Sequence, residues 1–295
     1  MKTILAAIVL ATGLTAGADG VVAPGARLEK VSGGFLFTEG PTCDKKGNLF
    51  FVDQPNDRIL KWSTKGKLST FLQPSGRANG MCFDAKGNLI ACADEHNELW
   101  AIAPDKKVTV LATNFQGKYF NGPNDVWVAR NGGMFLTDPF YKRKWWDHQT
   151  MALTNEEVFY LSPDRKTMTR VTEDLKKPNG ITGTPDGRKL FVSDIRATQT
   201  WCYDIQPDGS LTNKTFFCAL GSDGMTLDVE GNVYLTGHGV TVFDKDGKQI
   251  EQIDVPEKWA ANVCLGGQDH KTLFITATES LYSIRLRVAG ANPAK

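Results

Sequence analysis

Short apolar segments alternate with polar, glycine-containing turns along the chain, and one such unit recurs six times. Each copy is a strand, a polar turn and a second strand rich in β-branched and aromatic residues, which is typical of a β-hairpin. Residues 44–53 (DKKGNLFFVD) recur at 84–93 (DAKGNLIACA), then around Gly132, Gly187 and Gly231, and in a degenerate copy with His270 in the place of the turn glycine.

A second hairpin follows each copy, which gives four short strands per repeat. Six repeats with a period of roughly 40 to 55 residues predict an all-β, six-bladed β-propeller, whereas a sandwich or jelly roll requires no such register. The last repeat is one strand short. We expect residues 26–31, ahead of the first repeat, to supply its outer strand and so close the ring without an open sheet edge.

The N-terminus predicts export. Lys2 is followed by an apolar stretch at 4–14, too short to cross a bilayer, and by small residues at 16–18. We therefore expect residues 1–18 to be a cleaved signal peptide and 19–295 to be one propeller domain, secreted or periplasmic. The alternative for this segment is a buried N-terminal helix.

Composition limits the partners of the mature protein. The net charge of +1 provides no positive field for nucleic acid, and no other segment is long and apolar enough to cross a membrane. We expect a monomer that acts on a small molecule.

Aligning the six repeats on their turn glycine reveals a shared oxygen-bearing side chain eight positions earlier. This position opens the innermost strand of each blade, so the six side chains should point into the central channel at one depth. Turn preference explains one or two such residues, but not a glutamate or six copies out of six. The six, called the oxygen ring below, are Glu39, Asn79, Asn124, Asn179, Asp223 and Asn262.

Two carboxylates in one channel predict a bound cation. Glu39 and Asp223 would repel each other unless a positive ion lay between them. Carboxylate and amide oxygens, without His or Cys, suit a hard cation, and Ca²⁺ at about 2.3–2.6 Å fits best. Mg²⁺, Mn²⁺ or Zn²⁺ remain alternatives.

The motifs around these residues resemble the senescence-marker-protein-30/gluconolactonase family, including luciferin-regenerating-enzyme-like members. The resemblance runs from about Leu36 to Ile284 and rests on the motifs EGP at 39–41, PND at 123–125, PNG at 178–180 and SDGM at 222–225. It implies a six-bladed propeller and metal-dependent lactone hydrolysis. The implied metal ligands are Glu39, Asn124, Asn179 and Asp223, with Asp223 also the proposed base. Asn79 and Asn262 would then either support these ligands or contact the substrate.

Further residues on the same face are candidates for substrate binding. Some family lactonases carry an arginine just before the third-blade asparagine; here Lys118 or Asn121 would take that role. The longest insertion, residues 139–156, carries Phe140, Tyr141, Trp145 and Trp146 and is a candidate lid. The alternative is that Trp145 and Trp146 only anchor the loop. The other candidates are Arg77, Trp145, His96 and His148. Because a metal-bound carboxylate is normally a weak base, His96, His148 or His238 is an alternative to Asp223 as the base.

The sequence thus predicts a metal-dependent hydrolase of a small ester, with a sugar lactone as the first substrate class. One alternative is a phosphotriester hydrolase on the same metal site, because fold and metal do not fix the substrate. The other is a non-catalytic, calcium-binding propeller.

Overall fold

Six four-stranded antiparallel sheets form the blades of a β-propeller. The computed structural model describes residues 20–291, so the predicted signal peptide at 1–18 lies outside the described residues. The all-β, six-bladed prediction is confirmed. No helix in the described range has the length and apolar character needed to span a bilayer.

In the first five blades the strands follow one another in chain order from the channel outwards. Blade one consists of Thr38–Cys43, Leu49–Asp53, Arg58–Trp62 and Leu68–Leu72. Blade two consists of Ala78–Phe83, Leu89–Ala93, Glu98–Ile102 and Val108–Ala112. Blade three consists of Val126–Val128, Met134–Asp138, Glu157–Leu161 and Met168–Thr172.

Blade four consists of Pro178–Gly183, Lys189–Asp194, Gln199–Ile205 and Leu211–Cys218. Blade five consists of Met225–Leu227, Val233–Gly237, Gly239–Phe243 and Gln249–Ile253. Blade six consists of Ala260–Gly266, Thr272–Ala277, Ser280–Arg285 and Glu29–Gly33. A small hairpin, Asn114–Phe115 with Lys118–Tyr119, and two 3₁₀ turns, Gln54–Asn56 and Asp94–His96, complete the elements.

The ring is closed by the N-terminal segment, as predicted, although the strand lies a few residues later than 26–31. Glu29–Gly33 pairs antiparallel with Ser280–Arg285, with Lys30 opposite Tyr282. Upstream, Val21 is buried among the apolar residues of the last two blades. The pairing covers an outer edge that would otherwise expose unpaired backbone groups.

The recurring turn is built by one acidic side chain and one left-handed residue. Asp44 Oδ1 accepts hydrogen bonds from two backbone N–H groups, one of them at Asn48, both at 2.9 Å. Gly47 and Gly87 have φ values of 80° and 84°, a region that glycine adopts without steric cost. His270 adopts φ 57°, so the degenerate sixth copy keeps the same turn.

The core lies between neighbouring blades, where the faces of adjacent sheets pack together. Phe51 and Leu60 of blade one form a buried cluster with Phe274 and Leu281 of blade six. Fully burying each such side chain stabilises the fold by about 1.5–3 kcal/mol. Since every blade is packed on both faces, second strands such as Leu49–Asp53 are buried throughout, which explains their continuous apolar runs.

All six innermost strands begin at the same end of the channel, which we call the ligand face. Because the strands alternate in direction, the loops between second and third strands also lie on this face, as do the connections from one blade to the next. The insertion between Asp138 and Glu157, residues 139–156, is one of these loops. We call it the insertion loop.

Candidate active site

Irregular pairing at the start of the inner strands turns the oxygen ring towards the channel. In four blades the register with the second strand shifts beside the ring residue, and such a bulge re-aims a side chain. The shifts lie between Glu39 and Thr42, Ala78 and Met81, Pro178 and Ile181, and Ala260 and Asn262. In the other two blades, Asn124 and Asp223 precede shortened inner strands by two residues.

The glycine that follows several ring residues allows neighbouring blades to touch at the axis. A Cβ atom on Gly40 would collide with the backbone oxygen of Asn79, and one on Gly224 would collide with the side chain of Asn262. Gly80 meets Asp125 in the same way. The Glu-Gly, Asn-Gly and Asp-Gly pairs of the sequence therefore have a packing cause: only glycine lets the ring residues approach this closely.

Hydrogen bonds link the ring residues in two groups. Asn179 Nδ2 donates to Asp223 Oδ1 at 2.8 Å, and Trp259 Nε1 donates to Asp223 Oδ2 at 2.7 Å. Asn262 Nδ2 donates to Glu39 Oε2 at 3.1 Å. An ionised carboxylate only accepts, so with both acids charged the amide nitrogens face them. The N–H of Val263, which donates to Asn262 Oδ1, fixes the Asn262 amide in the same orientation.

The donor set fits a hard cation. The oxygen Asn179 Oδ1 is buried and has no hydrogen-bond partner, and an orphaned buried acceptor of this kind requires an explanation such as an ion. Glu39 Oε2 accepts the N–H of Gly40 at 2.6 Å as well as the Asn262 amide, which leaves Oε1 for another ligand. Within residues 20–291 no group of three His, Cys, Asp or Glu could hold a metal, so a site here must use amide oxygens.

Burial dominates the electrostatics of the acids. It raises the pKa of Glu39 well above the ordinary range, and the charge of Asp223 raises that pKa further. Burial also raises the pKa of Asp223 itself, and it raises the pKa of Asp125 to about 7. Three carboxyl groups this close to one axis are costly to ionise together unless a cation compensates them.

Asn79, Asn124 and Asn262 complete the ring in different ways. All three are buried. Asn262 Oδ1 accepts the N–H of Val263 at 2.8 Å and is already occupied. Asn79 and Asn124 make no side-chain hydrogen bond within the described part of the chain, so their amides remain available to a cation, water or substrate.

The structure gives Asn121 and Lys118 different surroundings. Asn121 is only 1% exposed, and its Nδ2 donates to the backbone oxygen of Asn155 at 2.9 Å. Asn121 thus ties the segment before blade three to the insertion loop. Lys118 is exposed on the small hairpin with Tyr119. Substrate contact by either residue stays a prediction.

Each of the three candidate histidines packs against a tryptophan on the ligand face. His96 stacks on Trp100 with ring centroids 5.5 Å apart, and His148 stacks on Trp146 at 4.9 Å. His238 is exposed and meets Trp259 edge-on at 5.4 Å. The indole of Trp259 therefore contacts both His238 and Asp223.

The insertion loop is held against blade two and reaches the oxygen ring. Trp145 Nε1 donates to Asp94 Oδ2 at 2.8 Å, and Trp146 Nε1 donates to the Asp94 backbone oxygen at 2.6 Å. Burial raises the pKa of Asp94 to about 6, against the opposing effect of Arg143. Asn179 Nδ2 donates to the Tyr141 hydroxyl at 2.7 Å, so the loop contacts the ring directly.

Two contacts of the oxygen ring were not predicted from the sequence. Trp259 holds Asp223 from the connection between blades five and six, and its only sequence signal is its position three residues before Asn262. Tyr141 is recognisable as a lid residue, but not as a partner of Asn179. Both contacts cross between blades, so no local pattern encodes them.

The fold and the site together define a class: six-bladed propellers with a buried ring of carboxylate and amide side chains at one end of the channel. Residues 37–279 match the model of the SMP-30/Gluconolactonase/LRE-like region, and the chain belongs to this family. The resemblance predicted from the ring motifs is confirmed.

Individual relatives match along most of their length. The chain is 28% identical to the gluconolactonase of Zymomonas mobilis subsp. mobilis over 302 residues, covering 92% of this chain and 85% of that protein. It is 25% identical to Xenopus laevis regucalcin over 266 residues, covering 84% and 85%. The solved structure of a Xanthomonas campestris gluconolactonase superimposes with a TM-score of 0.83 at 28% identity, covering 92% of this chain and 96% of that one.

Proposed function

We propose that this protein is a lactonase that hydrolyses a small lactone, with sugar lactones as the first class, and that it depends on a divalent cation held by the oxygen ring. The gluconolactonases similar to this chain support hydrolysis of a carboxylic ester bond. The cation requirement is supported by the ring itself.

One observation carries the proposal: the buried oxygen of Asn179 has no partner and lies on the same side chain that holds Asp223. A cation there would be bound by Glu39, Asn124, Asn179 and Asp223. Oxygen ligands of this kind favour Ca²⁺, with Mg²⁺ or Mn²⁺ as substitutes. When bound, a divalent cation polarises an ester carbonyl and makes nearby water more acidic.

Asp223 is the proposed base. Burial raises its pKa, which makes it a stronger base than an exposed carboxylate, and the bonds from Trp259 and Asn179 hold it in one orientation. An attacking water bonds to the carbonyl carbon and gives its proton to Asp223. The C–O bond of the lactone then breaks, and the proton passes from Asp223 to the departing oxygen, so the product is a hydroxy acid.

Positive side chains beside the ring suit this product. The guanidinium of Arg143 lies 5.0 Å from the centroid of the Tyr141 ring, and the ammonium of Lys177 lies 4.3 Å from the same centroid. The charge of Arg143 opposes the rise in the pKa of Asp223, so its field reaches the base. An anionic acid formed here would be attracted to the same charges.

The test is hydrolysis of glucono-δ-lactone and a panel of other lactones, followed by acid release in a pH-stat. Protein stripped with EDTA is measured before and after addition of Ca²⁺, Mg²⁺, Mn²⁺ or Zn²⁺. Glu39→Gln and Asp223→Asn remove one ring carboxylate each, and Glu279→Gln is the matched control because that acid is exposed.

We expect turnover that EDTA abolishes and a cation restores, near-complete loss in both ring variants, and normal turnover in the control. Turnover unaffected by EDTA would refute the cation requirement. If no lactone is hydrolysed with any cation, the lactonase proposal fails, and phosphotriesters are the next substrates to assay.

A further inference from the structure

Cationic and aromatic side chains alternate across the ligand face in a continuous stack. The guanidinium of Arg77 lies 4.9 Å from the Trp145 ring, and Arg143 lies 5.6 Å from the same ring. Arg143 also lies 5.0 Å from the Tyr141 ring, and the ammonium of Lys177 lies 4.3 Å from it. Arg77 immediately precedes the inner strand of blade two, and Lys177 that of blade four. We call these five residues the ladder.

The ladder is held at several points by hydrogen bonds and ion pairs. Arg143 Nε lies 3.5 Å from Asp94 Oδ2, the same oxygen that accepts from Trp145. Lys177 Nζ lies 3.0 Å from Glu156 Oε2. Since cation–aromatic contacts strengthen where water is excluded, the half-buried ladder fixes the insertion loop over the ring.

The O–H of Tyr141 is free to donate a hydrogen bond. Asn179 Nδ2 donates both to Asp223 Oδ1 and to the Tyr141 hydroxyl oxygen, and the opposite amide orientation would place an oxygen against the carboxylate. The Tyr141 oxygen is thus an acceptor in this contact, and within residues 20–291 its own O–H has no acceptor. Burial raises the pKa of Tyr141 above the ordinary phenol value, so the hydroxyl keeps this proton at neutral pH.

We propose that the Tyr141 hydroxyl donates a hydrogen bond to the carbonyl oxygen of the lactone, the atom that gains negative charge as water attacks. This inference rests on the proposed function and adds a substrate-contacting residue to it. The hydroxyl and Asp223, the base for the attacking water, both accept from the amide nitrogen of Asn179, so the proposed donor and the base lie on either side of one amide group. Arg143 and Lys177 place positive charge over the ring of this phenol, which favours donation of its O–H to an oxygen that gains negative charge.

The test is Tyr141→Phe, which removes the hydroxyl and keeps the ring of the ladder. Removal of one such donor costs about 100-fold or more in kcat, so we expect a loss of that size with KM changed by less than about threefold. Cation affinity, measured by calorimetric titration with Ca²⁺ in the absence of substrate, and the thermal midpoint should stay those of the parent protein.

Trp145→Phe is the companion variant, because it breaks the bond to Asp94 and loosens the ladder while the hydroxyl remains. We expect a kcat loss of about 10-fold or less. A Tyr141→Phe enzyme with parental kcat would overturn the inference, as would a loss that saturating cation restores. A Trp145→Phe loss as large as that of Tyr141→Phe would also overturn it, since loop order would then explain both.

The two proposals fail separately. If the parent protein hydrolyses no lactone, the proposed function is wrong and this inference falls with it. If the parent is active and Tyr141→Phe matches it, only the role of Tyr141 is wrong.

Discussion

The indole of Trp259 donates a 2.7 Å hydrogen bond to Asp223 Oδ2, and Trp259→Phe removes that bond while keeping an aromatic ring. A hydrogen bond to a charged group contributes about 1.5–3 kcal/mol, and one to a neutral group about 0.5–1.5 kcal/mol. The bond therefore favours charged Asp223 over neutral Asp223 by about 1 kcal/mol. Its loss should raise the pKa of Asp223 further and reduce the fraction available as base and cation ligand.

The assay is the pH dependence of kcat/KM for lactone hydrolysis at saturating cation. A difference of about 1 kcal/mol corresponds to a roughly fivefold lower kcat/KM on the acid limb of the pH profile. This limb moves to higher pH, and kcat/KM at the optimum changes less. Trp100→Phe is the matched control, because its indole also donates to a carboxylate, Glu98 Oε2 at 2.6 Å, on the third strand of blade two. An acid limb unchanged in Trp259→Phe, or displaced equally in Trp100→Phe, would show that the Trp259 bond does not control the charge of Asp223.

Three further predictions follow from the site and its supports. Burial raises the pKa of Asp125 to about 7, so in EDTA its proton stabilises the fold at low pH, and this stability is lost as the pH rises through that value. In EDTA, the thermal midpoint should decrease as the pH is raised from about 5 to 8, and it should decrease less in Asp125→Asn. An equal dependence of the midpoint on pH in the two proteins would contradict this. Gly40→Ala introduces a backbone collision as well as strain at φ 52°, whereas Gly34→Ala introduces only strain at φ 84°. In urea titrations, the free energy of unfolding should fall by roughly 2–4 kcal/mol in Gly40→Ala and by about 1 kcal/mol in Gly34→Ala. Asp94→Asn weakens the hold on residues 139–156, and trypsin should cut this loop several-fold faster; an unchanged rate would show that the loop is held elsewhere.

The fold was predictable because each repeat carries its own local instructions. The turn at Asp44 and Gly47 is encoded within five residues, and the same residue types specify it in later copies. Ring closure was also predictable, since the last repeat lacks a strand that only the N-terminal segment can supply. Its exact position at Glu29–Gly33 depends on packing against blade six and could not be read from the pattern.

The candidate ring was found because side chains at one register of a repeat must meet on the axis. Alignment alone selected Glu39, Asn179 and Asp223, and the structure joins the last two through a 2.8 Å bond. The alignment does not separate ligands from their supports. Only the contacts show that the oxygen of Asn262 is occupied while that of Asn179 is not.

By itself, the sequence determined the propeller, the family and the identity of the six ring residues, because these depend on repeats and on residue types at fixed spacing. The tertiary structure decided which side chains surround the ring. Tyr141 reaches Asn179 from the insertion loop, and Trp259 reaches Asp223 across a blade boundary. Contacts of this kind depend on how separate loops fold back over one face, and the spacing of residues along the chain does not specify this arrangement.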